Sequence, residues 1–275
     1  MNFQKTLRET VEEHGLMAKK SLGQNFLLNQ DVTDKIVKLS LEKQGLSDFK
    51  NFEVLEIGPG PGGLTRAVLK QTPQSLTVVE MDERCVEIME ELKTVSNVPM
   101  HILNADALTI ELADLGLKKL QIVSNLPYNI SVPLLTKWLK NMKSIDAMTL
   151  MFQKEVADRI CAPIKTKDYG RLSVMAQLVC KIQRLWTLSP ECFVPAPKVQ
   201  STVLLFQQLK EIPATDVLNK VEKITAAAFS QRRKMIRQSL KNWPNFEKLC
   251  ANAGVEPTAR AEEITPEQYL IMAQS

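Results

Sequence analysis

A chain of 275 residues with 44% hydrophobic and 24% charged content is long enough for one full-sized domain plus a small appendage, and that composition excludes global disorder. A formal net charge of +4 is compatible with an acidic partner such as nucleic acid but does not require one, so the distribution of charge says more than its total. No apolar run approaches the ~18 residues of a membrane span, and the first residues lack the apolar core of a signal peptide. The five cysteines (Cys85, Cys161, Cys180, Cys192, Cys250) are scattered without a C-x-x-C pair, which reads as reduced thiols in a cytoplasmic, soluble protein. With only His14 and His101 available, a histidine-rich zinc site is not expected, and no metal is assigned.

In chain order, a polar and basic stretch with Lys19 and Lys20 leads into a helical pattern over Asp31–Lys43, where Ile36, Val37, Leu39 and Leu41 recur at helical spacing. Phe52–Ile57 is a short apolar run stopped by glycine and proline, which predicts a buried strand. The glycine-rich turn that follows opens a helix at Leu64. Strands are predicted at Leu76–Glu80, Met100–Leu103, Leu120–Ser124 and Ala147–Phe152, with helices over Glu83–Lys93 and Val132–Met142. Strands alternating with helices imply right-handed crossovers and an α/β, mainly parallel, doubly wound sheet. Two later strands near Lys181–Leu188 and Thr202–Gln207 have no long helix predicted between them and read as an antiparallel edge. Composition shifts over Gln208–Thr215, and the remainder is helical and basic. This divides the chain into a domain at 1–207 with a basic N-terminal extension and a small all-helical domain at 216–275.

The turn Gly58-Pro59-Gly60-Pro61-Gly62-Gly63 sits between strand and helix, where glycines let the backbone turn tightly and approach a ligand. The helix N-terminus behind it favours an anion such as the carboxylate of a methionine moiety. Glu80 ends the next strand, 22 residues after Gly58, and an acid there can accept both ribose hydroxyls. These two features imply a nucleoside cofactor without choosing between nicotinamide and methyl-donor types. Asp106, after the third strand, adds an acceptor at the same carboxyl edge of the sheet, although such a residue is also a common helix cap.

Asn125-Leu126-Pro127-Tyr128 follows the fourth strand at that edge. The exocyclic amine of adenine is a poor nucleophile because its lone pair is delocalised into the ring. Accepting both of its N–H hydrogens favours a pyramidal nitrogen with the lone pair aimed at a methyl group. Asn125 offers a side-chain oxygen, the rigid backbone around Pro127 presents carbonyls without a competing N–H, and Tyr128 offers a flat face to the base. Catalysis of this kind is mainly positioning, which can supply about 7–11 kcal/mol.

The segments SLGQNFL (21–27), VLEIGPGPGGLT (54–65), VVEMD (78–82), NADAL (104–108), NLPYNIS (125–131), MFQKEVADRI (151–160), YGRLSVMAQ (169–177), FVPAPKVQS (193–201) and FSQRRKMIRQSL (229–240) together resemble the KsgA-type ribosomal RNA adenine dimethyltransferases, from about residue 17 to 275. That resemblance implies a Rossmann-like class I methyltransferase fold, with S-adenosylmethionine held by Asn25, Leu27, Gly58, Gly60, Glu80, Met81, Asp106, Ala107 and Asn125. It implies two methyl groups on each of two adjacent adenosines near the 3′ end of small-subunit RNA, in a monomeric enzyme acting on the RNA or the assembling subunit. Met81 stands where many relatives have leucine, an apolar exchange that still packs against an adenine. Phe193 reads either as core or as a second plate stacking on the target base, and the resemblance favours the plate.

Arg232, Arg233, Lys234, Arg237 and Lys241 lie in a predicted helix with no acid between Phe229 and Lys241. Arg233, Arg237 and Lys241 recur every four residues and so share a face, the pattern of a phosphate-binding surface. Lys19 and Lys20 are weaker candidates for the same role. Three alternatives are a non-catalytic nucleic-acid-binding assembly or transcription factor on the same fold, a DNA adenine methyltransferase, and a large-subunit RNA methyltransferase. The intact Asn125–Tyr128 turn and Glu80 argue against the first. Leu126, where DNA enzymes usually carry proline, argues against the second, and the basic tail argues against the third.

Overall fold

A computed structural model describes residues 3, 5–16 and 24–275; Lys19, Lys20 and the start of the SLGQNFL segment lie outside the described residues. The chain opens with α1 (Leu7–Glu13), which no apolar pattern announces. Its start is a capping box, in which Thr6 and Glu9 each accept the other's backbone N–H. A two-residue strand, β1 (Phe26–Leu27), precedes α2 (Gln30–Gln44), whose C-terminus is closed by left-handed Gly45.

The predicted alternation then follows as β2 (Glu53–Ile57), α3 (Gly63–Leu69), β3 (Ser75–Glu80), α4 (Glu83–Val95), β4 (Met100–Asn104), β5 (Leu120–Ser124), α5 (Tyr128–Lys140) and β6 (Ile145–Gln153). α5 starts four residues before the predicted Val132, so the Asn125–Tyr128 turn runs directly into its first turn. Pro133, a residue type that usually marks a helix start, lies inside it. Two helices not read from the sequence come next, α6 (Lys154–Ile160) and α7 (Arg171–Val179). Then follow β7 (Cys180–Leu188), β8 (Phe193–Val194) and β9 (Ser201–Gln208).

The sheet has seven strands in the order β4-β3-β2-β5-β6-β9-β7. β2 pairs in parallel with both β3 and β5, Val54 lying opposite Leu76 on one side and Gln121 on the other. β3–β4 and β5–β6 are also parallel, and the β9–β7 end is the antiparallel edge expected from the sequence. Every residue of β3 and β5 is buried, including the polar Thr77, Gln121 and Ser124, as in a strand covered on both faces. The chain steps outward from β2 through β3 to β4, then returns to the other side of β2 as β5. The carboxyl ends of β2 and β5 therefore flank a topological switch point, where open α/β sheets form a crevice. Both the glycine turn and the Asn125–Tyr128 turn leave the sheet there.

The tail comprises α8 (Thr215–Ser230), α9 (Ile236–Ser239), α10 (Phe246–Ala253) and α11 (Pro266–Gln274). The single basic helix expected around Arg232–Lys241 is not formed. α8 stops at Ser230, residues 231–234 turn, and Met235 bridges antiparallel to Arg260. The reason is competition for backbone groups: the Ile236 and Arg237 N–H groups donate to the carbonyls of Ala259 and Pro257, while the Ile236 side chain is fully buried. Arg233, Arg237 and Lys241 thus do not share one helix face.

Backbone packing divides the chain into two compact units that are not contiguous in sequence. One comprises residues 1–135, 144–154 and 183–206, and the other 136–143, 155–182 and 207–275. The second unit thus draws on α6 and α7 as well as on the tail, whereas the sequence placed everything before 207 in one domain. In the first unit, α2, α3, α4 and the strands share one core that includes Ile36, Val54, Leu76, Ile88 and Phe193. In the second, α7, α8, α10 and α11 pack together around Tyr169 and Tyr269. The Tyr169 hydroxyl donates to the Ile264 carbonyl at 2.9 Å and that of Tyr269 to the Ala261 carbonyl at 2.8 Å. Among the described residues no helix is long and apolar enough to cross a membrane, and none of the five cysteines is in a disulfide.

Candidate active site

A cavity of about 410 Å³ opens at the switch point within the first unit. The glycine turn forms its floor. Gly58 and Gly60 have φ of +64° and +55°, the left-handed region that costs other residues about 1–2 kcal/mol. Space demands glycine as well: a Cβ on Gly60 would lie 2.9 Å from the Phe26 ring, and one on Gly58 would lie 3.3 Å from Pro127 Cδ. The two turns thus approach so closely that a side chain on Gly58 would press on Pro127, which neither local sequence reveals.

Glu80 closes one side. Its Oε1 accepts the Met81 and Asp82 N–H groups at 2.8 and 2.9 Å, and its Oε2 accepts the Gly60 N–H at 3.3 Å. The acid at the end of β3 therefore also holds the glycine turn in place. Burial pushes its carboxyl above the ordinary range, against the opposing pull of these three donors. Next to it Met81 is half exposed on the cavity wall, an apolar plate suited to a flat ring. Asp106 lines the cavity and caps a short turn, its Oδ1 accepting the Leu108 N–H at 2.9 Å.

On the opposite wall, Asn125 Nδ2 donates to the Asn25 carbonyl at 3.2 Å, which leaves the side-chain oxygen as its acceptor. Leu126 is buried, Pro127 occupies the space a Cβ on Gly58 would need, and the half-buried Tyr128 ring lines the cavity. The Tyr128 hydroxyl is hydrogen-bonded to Ser201 Oγ at 2.6 Å, across 73 residues of sequence. Burial raises the phenol above its ordinary value, and the bond to Ser201 opposes this. The cavity wall thus includes every candidate cofactor residue: Asn25, Leu27, Gly58, Gly60, Glu80, Met81, Asp106, Ala107 and Asn125.

Phe193 is not on that wall. It pairs with Leu27 in the antiparallel β1–β8 ribbon and is 2% exposed in the core cluster. The sequence favoured a stacking plate at this position, whereas in this structure the ring is buried in the core. Phe26 and Glu56 are among the wall residues not singled out in the sequence. Glu56 had a legible signal, an acid inside the apolar run of β2, since an unpaired carboxyl is seldom fully buried.

The tail cations separate into two kinds. The Arg232 guanidinium is half buried, donating to Glu262 Oε2 at 2.6 Å and to the Thr166 carbonyl at 2.8 Å, so it holds the second unit together. Arg233, Lys234, Arg237 and Lys241 are exposed.

The model of the family described as ribosomal RNA adenine dimethylase matches residues 15–275. A relative named ribosomal RNA small subunit methyltransferase A, from Rhodospirillum rubrum, is 44% identical over 98% of this chain and 91% of its own length. A relative of the same name from Paramagnetospirillum magneticum is 42% identical over 98% and 94%. Among solved structures, the 23S rRNA methyltransferase ErmE superposes with a TM-score of 0.66 at 26% identity, covering 91% of this chain and 98% of that one. A dimethyladenosine transferase from Plasmodium falciparum shares the fold with a TM-score of 0.72 at 21% identity, over 89% and 94%. The chain belongs to the ribosomal RNA adenine dimethylase family of S-adenosylmethionine-dependent methyltransferases.

Proposed function

We propose that this protein dimethylates the N6 amines of two adjacent adenosines near the 3′ end of small-subunit ribosomal RNA, acting as a cytoplasmic monomer on the assembling subunit. The observation that carries this reading is that one cavity is walled both by Glu80 with its glycine turn and by Asn125–Tyr128. The names of the relatives at 42–44% identity support the small subunit as the target.

S-adenosylmethionine, when bound, supplies an electrophilic methyl group. Glu80, Met81, Asp106 and Ala107 would hold its nucleoside portion, with Gly58, Gly60, Asn25 and Leu27 around the remainder. Asn125 accepts one hydrogen of the target amine through its side-chain oxygen, and the backbone beside Pro127 accepts the other. The nitrogen lone pair is thereby directed towards the methyl group. Tyr128 stacks on the base. No general base is required if the proton leaves after transfer, so positioning and desolvation carry the rate. Exposed Arg233, Lys234, Arg237 and Lys241 supply phosphate contacts, and the half-buried Arg232 shapes the segment that presents them.

Incubation with labelled S-adenosylmethionine and undermethylated small subunits, followed by nucleoside mapping, tests the proposal. Label on paired N6,N6-dimethyladenosines near the 3′ end is expected. Label confined to large-subunit RNA or DNA, or no transfer at all, would refute it.

A further inference from the structure

The wall of the cavity carries three acids, Glu56, Glu80 and Asp106, and no lysine, arginine or histidine among the described residues. Such a lining favours a cation. The three acids are not equivalent. Glu80 accepts three backbone N–H groups that oppose the effect of its burial, and Asp106 accepts one and is only half buried. Glu56 is 1% exposed, and its Oε2 has no hydrogen-bond partner. A fully buried carboxylate with a bare oxygen is costly in a low-dielectric setting, so the group remains neutral until a positive charge arrives.

Resting on the cofactor assignment above, we propose that Glu56 is the residue by which the site distinguishes the methyl donor from the spent product. It is neutral in the empty cavity and in the product complex, and ionised when the sulfonium of S-adenosylmethionine is present. The donor carries one more positive charge than S-adenosylhomocysteine, and the two are otherwise nearly the same molecule. A wall of permanent charges would attract the donor but would not respond to the loss of that charge. A carboxyl that loses its proton to meet the sulfonium, and recovers one when the sulfonium becomes a thioether, ties tight donor binding to weaker product retention. The proton balance is closed: Glu56 releases one to solvent as the donor binds and takes one back after methyl transfer.

The surroundings of Glu56 agree with this. Its carboxyl is pushed up to about 8, first by burial and then by the neighbouring charge of Glu80 on β3, with a hydrogen bond from Thr65 on α3 acting the other way. β5, on the other side of β2, contributes Leu120–Ser124 and no ionisable side chain. Asp82, just beyond β3, is paired with Arg84 at 2.6 Å. Arg66 on α3 is engaged elsewhere, donating to the Lys5 carbonyl and Thr10 Oγ1.

The sign of the pH dependence follows. Below about 8 the empty site holds a proton on Glu56 that donor binding must expel. Donor affinity should therefore fall as pH drops, approaching about tenfold per pH unit, and level off above that range. The α-amino group of either ligand titrates at about 7.7–8.0, so the Glu56→Gln protein is the reference: it keeps the shape and loses the proton.

Calorimetric titration of wild-type and Glu56→Gln protein with each ligand, in buffers of different ionisation enthalpy at pH 7, measures the protons released. Wild-type protein should release most of one proton more with S-adenosylmethionine than Glu56→Gln protein does, and the two proteins should match with S-adenosylhomocysteine. The substitution should also shrink the donor-to-product affinity ratio several-fold. Equal proton release from the two proteins with S-adenosylmethionine, or an unchanged affinity ratio, would overturn the proposal. Failure of both ligands to bind wild-type protein would instead overturn the cofactor assignment, and this proposal with it.

Discussion

Replacing Tyr128 by phenylalanine removes one oxygen and keeps the ring. The partner left behind, Ser201 Oγ, lay 2.6 Å from that oxygen and is fully buried. An orphaned buried hydroxyl costs about 1–3 kcal/mol of stability, so Tyr128→Phe should lower the melting temperature measurably. The stacking surface is unaffected, however. Its loss in Tyr128→Ala is worth about 1–3 kcal/mol per base, or about 5- to 150-fold in the methyl-transfer rate. Ser201→Ala should be milder than Tyr128→Phe in stability, since the half-buried phenol can turn towards water. The double substitution should be less destabilised than the sum of the two, with a coupling of about 0.5–3 kcal/mol. Single-turnover methylation of undermethylated small subunits with saturating S-adenosylmethionine, alongside thermal unfolding, measures each of these effects. Tyr128→Phe should retain much of its rate, since the stacking ring is unchanged. A Tyr128→Phe protein as inactive as Tyr128→Ala would show that the hydroxyl, not the ring face, carries the role.

Other consequences follow from positions the structure separates. Gly60→Ala combines a left-handed backbone, costing about 1–2 kcal/mol, with a methyl group 2.9 Å from Phe26; calorimetry should find weaker S-adenosylmethionine binding, and wild-type affinity would refute the close approach. Arg233→Glu with Arg237→Glu should weaken RNA binding and flatten its salt dependence, the slope falling by about 0.7–0.9 for each phosphate no longer neutralised, and an unchanged slope would remove both from the RNA surface. Arg232→Ala should instead lower the melting temperature, because its guanidinium bonds Glu262 and the Thr166 carbonyl. Phe193→Ala should cost about 3–5 kcal/mol of stability, as a large core truncation does. A Phe193→Ala protein of wild-type stability that loses only methyl transfer would restore the stacking plate and contradict the burial of that ring.

The alternation of buried strands and amphipathic helices from Asp31 to Phe52 and on to Phe152 could be read directly from the chain, because burial on one face or both leaves a period of its own in the residue pattern. The glycine turn, Glu80, Asp106 and Asn125–Tyr128 were legible for a related reason: each ends or follows a strand, so the strand count alone put them on one edge of the sheet. What periodicity does not encode is the partner across a long separation. The tail shows this, since the residues after Phe229 suit a basic helix until the carbonyls of Pro257 and Ala259 claim the N–H groups of Arg237 and Ile236. Phe193 shows it too: a ring just before the prolines suits a stacking plate, yet in the folded chain it is buried in the core. The bond from Tyr128 to Ser201 and the bare oxygen of Glu56 belong to the same class. Local sequence determines which atoms need a partner, and only the folded chain decides which of them receive one.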